Sequence, residues 1–148
     1  MKISAKLKKI KGDASFRKFY RHKKNNSILV LSKKDKLKNL LIYDAINKIL
    51  IKNKILAPNL LSENYINNYI EINDFGDQTL FQVLKNKKNN KYVIFKKIIK
   101  ILNKIQLIKD KKIKNFKNKL YKVQEYKNNI LFDETKLFCD WYATKILS

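Results

Sequence analysis

The period of the apolar residues changes along this chain, and that change restricts the fold more than any other feature. "SFRKFYRH" (15–22) alternates and is rich in aromatics, the pattern of a half-buried strand. "SILVLS" (27–32) is a short apolar run behind a polar "KKNN", so the two read as an antiparallel pair joined by a Lys/Asn turn. In "KDKLKNLLIYDAINKILIKN" the period lengthens: Leu37, Leu40, Leu41, Ala45 and Ile49 predict a helix over about 36 to 53, with Asp35 as its N-cap. Pro58, the only proline, suits an extended connection into a strand, and "YINNYIEIND" predicts further strand with a hairpin about Asn67-Asn68.

Beyond "FGDQTL" the helical period takes over. Thr79 or Asp77 would cap a short helix running to about Lys85. "KYVIFKKIIKILNKIQLI" places Ile94, Phe95, Ile98, Leu102, Ile105 and Ile108 on one face. A polar, irregular stretch follows, and "DETKLFCDWYATKIL" reads as a last helix with Leu137, Phe138, Trp141 and Tyr142 sharing a face. Strands with one helix, then helices only, is an α+β order. The chain has 148 residues, room for one modest core, with an internal division expected near residue 73.

The formal charge is +23, from 35 Lys+Arg against 12 Asp+Glu. Such an excess ordinarily points to nucleic acid or an anionic surface. Here it is mostly Lys, mixed with Asn and Ile, and all three have A/T-rich codons, so coding bias accounts for it. The only arginines are Arg17 and Arg21. The single cysteine, Cys139, excludes an intramolecular disulfide and suits a reducing compartment. The start is basic with no apolar run behind it, and no stretch approaches the roughly 20 apolar residues of a membrane span. The expectation is a cytoplasmic protein with neither a membrane nor a specific nucleic acid as partner. One Cys and one His, His22, do not make a zinc site of the usual type, and His22 reads as a surface residue near a turn.

The chemistry concentrates in "GDASFRKFYR", Gly12 to Arg21. A glycine among small residues lets backbone N–H groups approach an anion. A plain turn ahead of a strand is the other reading. The segment resembles the [S/G]-D-A-S-F-R-[R/K]-[Y/F]-x-R motif of the aminoglycoside phosphotransferase-like family, nearest its bacterial N-acetylmuramate and N-acetylglucosamine kinases. Three further segments resemble that family in order. "ILAPNLLSEN" is similar to its L-x-x-P-x-[IL]-L-x-x-[DE], "YIEINDFGDQTL" to its L-L-L-E-D-L-G-D-x-T, and "ETKLFCDWY" to its E-x-x-L-F-x-x-W-Y.

The resemblance implies a protein-kinase-like small lobe over residues 1–73, then a hinge and the first large-lobe helices over 74–148. It implies ATP with Mg²⁺ as cofactors and a small-molecule acceptor, such as an amino sugar. Gly12, Asp13, Ala14 and Ser15 would form the phosphate loop, with Phe16 opening the next strand. Glu71, Ile72, Asn73 and Asp74 would form the hinge against the adenine, Asn73 standing where the family has Glu. Lys33 and Asp44 are the candidates for the strand lysine and its acidic partner, although Asp44 reads equally as a helix-edge acid meeting a surface lysine. Glu134 and Trp141 would approach a sugar, with Trp141 in the core as the alternative. The family's H-x-D-x-x-x-x-N loop and its later metal-binding Asp have no counterpart here. No catalytic residue and no metal ligand is therefore assigned, and a truncated or split kinase is expected. A basic nucleic-acid binder and a non-catalytic kinase-like scaffold are the alternatives.

Overall fold

The computed structural model describes residues 7–11, 16–22, 24–125 and 127–144. Its centre is a five-stranded antiparallel sheet of β1 (Leu7–Ile10), β2 (Lys18–His22), β3 (Ser27–Leu31), β4 (Leu60–Asn64) and β5 (Tyr69–Asn73), in the order β1-β2-β3-β5-β4. Helix α1 (Lys38–Lys52) crosses between β3 and β4. Then come α2 (Leu80–Lys85), α3 (Lys91–Gln106), a hairpin of β6 (Lys112–Lys114) and β7 (Leu120–Lys122), and α4 (Asn128–Leu137), which runs into a π-helical turn, Phe138–Ala143. The fold is α+β.

Strand alternation decides what α1 covers. Phe19 pairs with Val30 and Val30 with Ile70, while Ile28 pairs with Ile72 and Ile72 with Leu60. Paired residues share a face, so these six line one side of the sheet. Leu40 of α1 meets them, and Val30, Leu40, Ile70 and Ile72 form the buried cluster, with Leu37, Tyr43 and Phe116 packed at its edge. Burying aliphatic side chains of this size stabilises by roughly 1.5–3 kcal/mol each.

Asparagine takes over the turns that the scarcity of glycine leaves open. Asn26, Asn68 and Asn118 all have positive φ, a region Asn tolerates better than most residues. Asn68 closes the β4–β5 turn, where the sequence places the hairpin, and its carbonyl accepts from the Ser32 amide at 2.9 Å. Lys54, also at positive φ, ends α1: the amides of Lys54 and Ile55 return to the carbonyls of Ile51 and Leu50, both at 2.9 Å.

Four expectations need correction. The helix predicted over 36–53 begins at Lys38 behind a 3₁₀ turn, Lys34–Lys36, and Asp35 lies inside that turn rather than at the N-cap. β1 was not anticipated, because its two central residues are lysines and an edge strand needs little apolar surface. The sheet is not followed by helices only: residues read as irregular form the β6–β7 hairpin. Buried Asp44 accepts from the Phe116 amide at 2.7 Å, and Asp110 accepts from Lys52 Nζ at 2.5 Å and Asn53 Nδ2 at 2.8 Å, so two carboxylates tie this segment to α1. The last helix begins at Asn128, five residues before Asp133.

Candidate functional site

The β1–β2 hairpin places the "GDAS" segment at its connection, since β1 ends at Ile10 and β2 begins at Lys18. Gly12, Asp13, Ala14 and Ser15 themselves lie outside the described residues. Phe16 follows them, 67% exposed, with Lys36 Nζ 5.7 Å from its ring centroid. The Arg17 guanidinium lies 4.8 Å from the Tyr43 ring centroid, an arrangement that favours the cation over the ring face and links the start of β2 to α1.

A cluster that the sequence did not suggest joins two of the quoted segments. Arg21, from "GDASFRKFYR", meets Asp74 and Asp77, from "EINDFGDQTL", 53 and 56 residues away. Its Nε donates to Asp74 Oδ2 and its Nη2 to Asp74 Oδ1 at 3.0 Å, while Nη1 donates to Asp77 Oδ1. One carboxylate thus receives the fork bidentately, the geometry for which arginine is suited and lysine is not. Asp74 Oδ1 also accepts from the Gly76 amide at 2.8 Å, holding the turn in which Gly76 takes φ +84°. The Arg21 side chain is 15% exposed, Asp74 4% and Asp77 78%, so one arm of the clamp is sheltered and the other is open to solvent. The guanidinium holds the Asp74 carboxyl below the usual carboxylate range, helped by the Gly76 amide and opposed by partial burial. The two acids in turn raise Arg21 above its ordinary value.

Register explains the meeting. Arg21 pairs with Ile28, and Ile28 with Ile72, so Arg21 lies in a cross-strand row on the α1 side of the sheet. Asp74 follows Ile72 by two positions, and its amide donates to the Asn26 carbonyl at 3.2 Å, so the clamp closes just past the end of β5. The only sequence signal was scarcity: both arginines lie in one motif, and two acids flank Gly76.

The remaining candidates fall in different places. Glu71, Ile72 and Asn73 are residues of β5, which pairs with β3 on one edge and β4 on the other. The Asn73 amide donates to the Asn59 carbonyl at 3.2 Å, and Asn73 Oδ1 accepts from the Asn59 amide at 3.0 Å. Sheet ladders therefore engage this strand, and the chain leaves the sheet only from Asp74 onward. The Glu71 side chain faces away from α1 and accepts from the hydroxyls of Ser27 and, at 3.1 Å, Ser62.

Asp44 is not the partner of Lys33. Its side chain is 1% exposed and is engaged by Lys48 Nζ at 2.9 Å and the Phe116 amide, whereas Lys33 is exposed just before the 3₁₀ turn. The alternative, an acid meeting a surface lysine, describes the pairing, but on a buried rather than an edge position. His22 is the last residue of β2, beside the turn as read but half-buried rather than at the surface, and its Nδ1 has no hydrogen-bond partner among the described residues.

Glu134 lies on α4 and Trp141 in the π-helical turn, both exposed; at 65% exposure Trp141 is not a core residue. The rings of Phe138 and Tyr142 stack with centroids 5.0 Å apart. The apolar stripe of α3 is partly open, with Phe95 49% and Leu102 51% exposed and Ile94 and Ile98 half-buried. Ile105 and Ile108, at and beyond the end of α3, line a pocket of about 270 Å³ with Ile46, Ile49 and Leu50 of α1. Among the described residues no group of three or more His, Cys, Asp or Glu side chains could hold a metal ion, and no helix is long and apolar enough to cross a membrane. No protein-family model, curated protein or solved structure matches this chain.

Proposed function

We propose that this chain is the nucleotide-binding half of an ATP-dependent small-molecule phosphotransferase of the aminoglycoside phosphotransferase type. The observation that carries the reading is the meeting of Arg21 with Asp74 and Asp77. Two segments quoted for the family resemblance, far apart in sequence, come together where a phosphate loop and a hinge would be neighbours. The element order agrees: a hairpin with "GDAS" at its connection, a third strand, a crossing helix, two strands, a glycine-containing connection and helices.

In this reading the phosphates lie against the Gly12–Ser15 backbone. The adenine edge is met at the connection beginning with Asp74, because Glu71 to Asn73 belong to the sheet. Asp44 is structural, so the phosphate-holding cation and its acid are not the Lys33–Asp44 pair. The acid that orients the acceptor and the side chains that hold Mg²⁺ are not among these residues. Positioning and charge stabilisation dominate phosphoryl transfer, so the chain binds nucleotide without turning it over. The exposed apolar faces of α3 and of Leu137, Phe138, Trp141 and Tyr142 are where a catalytic half would pack. The cytoplasm is the proposed setting and an amino sugar the proposed acceptor class.

The test is calorimetric titration with ATP beside an assay of phosphate transfer to N-acetylmuramate, N-acetylglucosamine and an aminoglycoside. Saturable ATP binding without transfer is expected. No binding would favour the scaffold reading, and transfer by this chain alone would refute the division of labour.

A further inference from the structure

Resting on the nucleotide-binding reading, we infer that Arg21 is a positioning residue whose guanidinium ties the strand leaving the "GDAS" connection to the segment Asp74–Thr79, and that nucleotide affinity depends on this tie.

The clamp spans the two pieces of backbone a nucleotide would touch. β2 follows the phosphate-loop candidate directly, and Asp74 begins the path from the sheet to α2. Arg21 joins them, through both oxygens of Asp74 and one of Asp77. Asp74 does a second task at the same time. By accepting from the Gly76 amide it fixes the turn that has the only positive-φ glycine among the described residues. Five residues past Arg21's sheltered partner, the path is fixed again, where Thr79 and Gln82 cap α2 reciprocally: the Gln82 amide donates to Thr79 Oγ1 at 3.3 Å and the Thr79 amide to Gln82 Oε1 at 3.0 Å. The connection is thus pinned at Asp74 and at Thr79, with Asp77 between them bonded to Arg21 and exposed.

The two arms have different roles. Asp74, sheltered and bidentate, sets the position of the guanidinium. Asp77, open to water, is screened by salt and exchanges readily. Loss of the fork geometry releases the segment even when the positive charge is kept, so lysine does not replace arginine here. Releasing it makes a bound ligand reorder the segment, which lowers affinity.

The experiment uses the full 148-residue chain as wild type, Arg21→Lys, Asp74→Asn and Asp77→Asn. Hydrogen exchange at the amides of residues 75–79 is measured alongside the ATP dissociation constant, with circular dichroism to verify folding. Expected are faster exchange at 75–79 and about tenfold weaker ATP binding for Arg21→Lys and Asp74→Asn, and a change of less than about threefold for Asp77→Asn, in line with sheltered and exposed ion pairs respectively. Unchanged exchange at 75–79 in Arg21→Lys overturns the tie itself. Faster exchange with unchanged ATP affinity overturns its role in positioning. A folded wild type that binds no ATP removes the nucleotide reading and the coupling to it.

Discussion

Replacing Asp44 separates a structural carboxylate from a nucleotide-site one. Its side chain is 1% exposed and accepts from the Phe116 amide at 2.7 Å. Asp44→Ala leaves that amide without its partner, and losing a hydrogen bond to a charged group costs roughly 1.5–3 kcal/mol. The contact to Lys48 adds little, because the lysine side chain is 37% exposed and pairs of this kind contribute about 0–1 kcal/mol. Alanine recovers about 0.5 kcal/mol through its higher helix propensity in the middle of α1. The net expectation is a loss of about 2 kcal/mol. Asp44→Asn keeps an acceptor oxygen for the amide and should lose only about 1 kcal/mol, the difference between a charged and a neutral hydrogen bond. Urea unfolding followed by far-UV circular dichroism measures both, and hydrogen exchange at Phe116 reports whether the hairpin has come away from α1. ATP affinity should be unaltered in Asp44→Asn. The reasoning fails if Asp44→Ala is as stable as wild type, or if Asp44→Asn loses nucleotide binding while keeping its stability.

Two further outcomes follow from the turns and the clamp. Asn68, at φ +66°, should accept Gly with a change within about 0.5 kcal/mol, whereas Asn68→Val should lose about 1–2 kcal/mol because a branched side chain resists the left-handed region; urea midpoints of the two variants decide it. Asp74 has a depressed carboxyl in the folded chain, so its contribution is complete above the unfolded value near about 3.9 and is lost as pH falls through the lower folded value. The unfolding free energy measured between about pH 2 and 6 should therefore fall more steeply with decreasing pH for wild type than for Asp74→Asn, and equal slopes would show that Arg21 does not hold the carboxylate.

The parts legible in the sequence were those whose pattern repeats over many residues. β3, α1 and β5 supply the buried core cluster, and each carries apolar positions at its own period. Thr79 and Asp77 were the two candidate caps, and it is Thr79 that caps α2, with Gln82 completing the box. β1, β6 and β7 were missed because they are three or four residues long and rich in lysine; pairing partners specify them more than their own side chains do. The periodicity of α3 and α4 predicted helices correctly but not burial, since a period names a face and not what covers it. Asp44 was visible as an acid on an apolar stripe, yet its partner, the Phe116 amide, is 72 residues away and belongs to a hairpin that was itself missed. The Arg21 clamp was hidden for the same reason: register, not local sequence, brings Arg21 beside Asp74.

The central claim is that the "GDAS" connection receives nucleotide phosphates. The most direct measurement is equilibrium binding of ATP to this chain and to Gly12→Val, with circular dichroism on both. A valine side chain would fill the space that phosphates need beside the backbone. The account predicts saturable binding by the wild type and none by the folded variant. Equal binding by both would place the nucleotide elsewhere and contradict the claim.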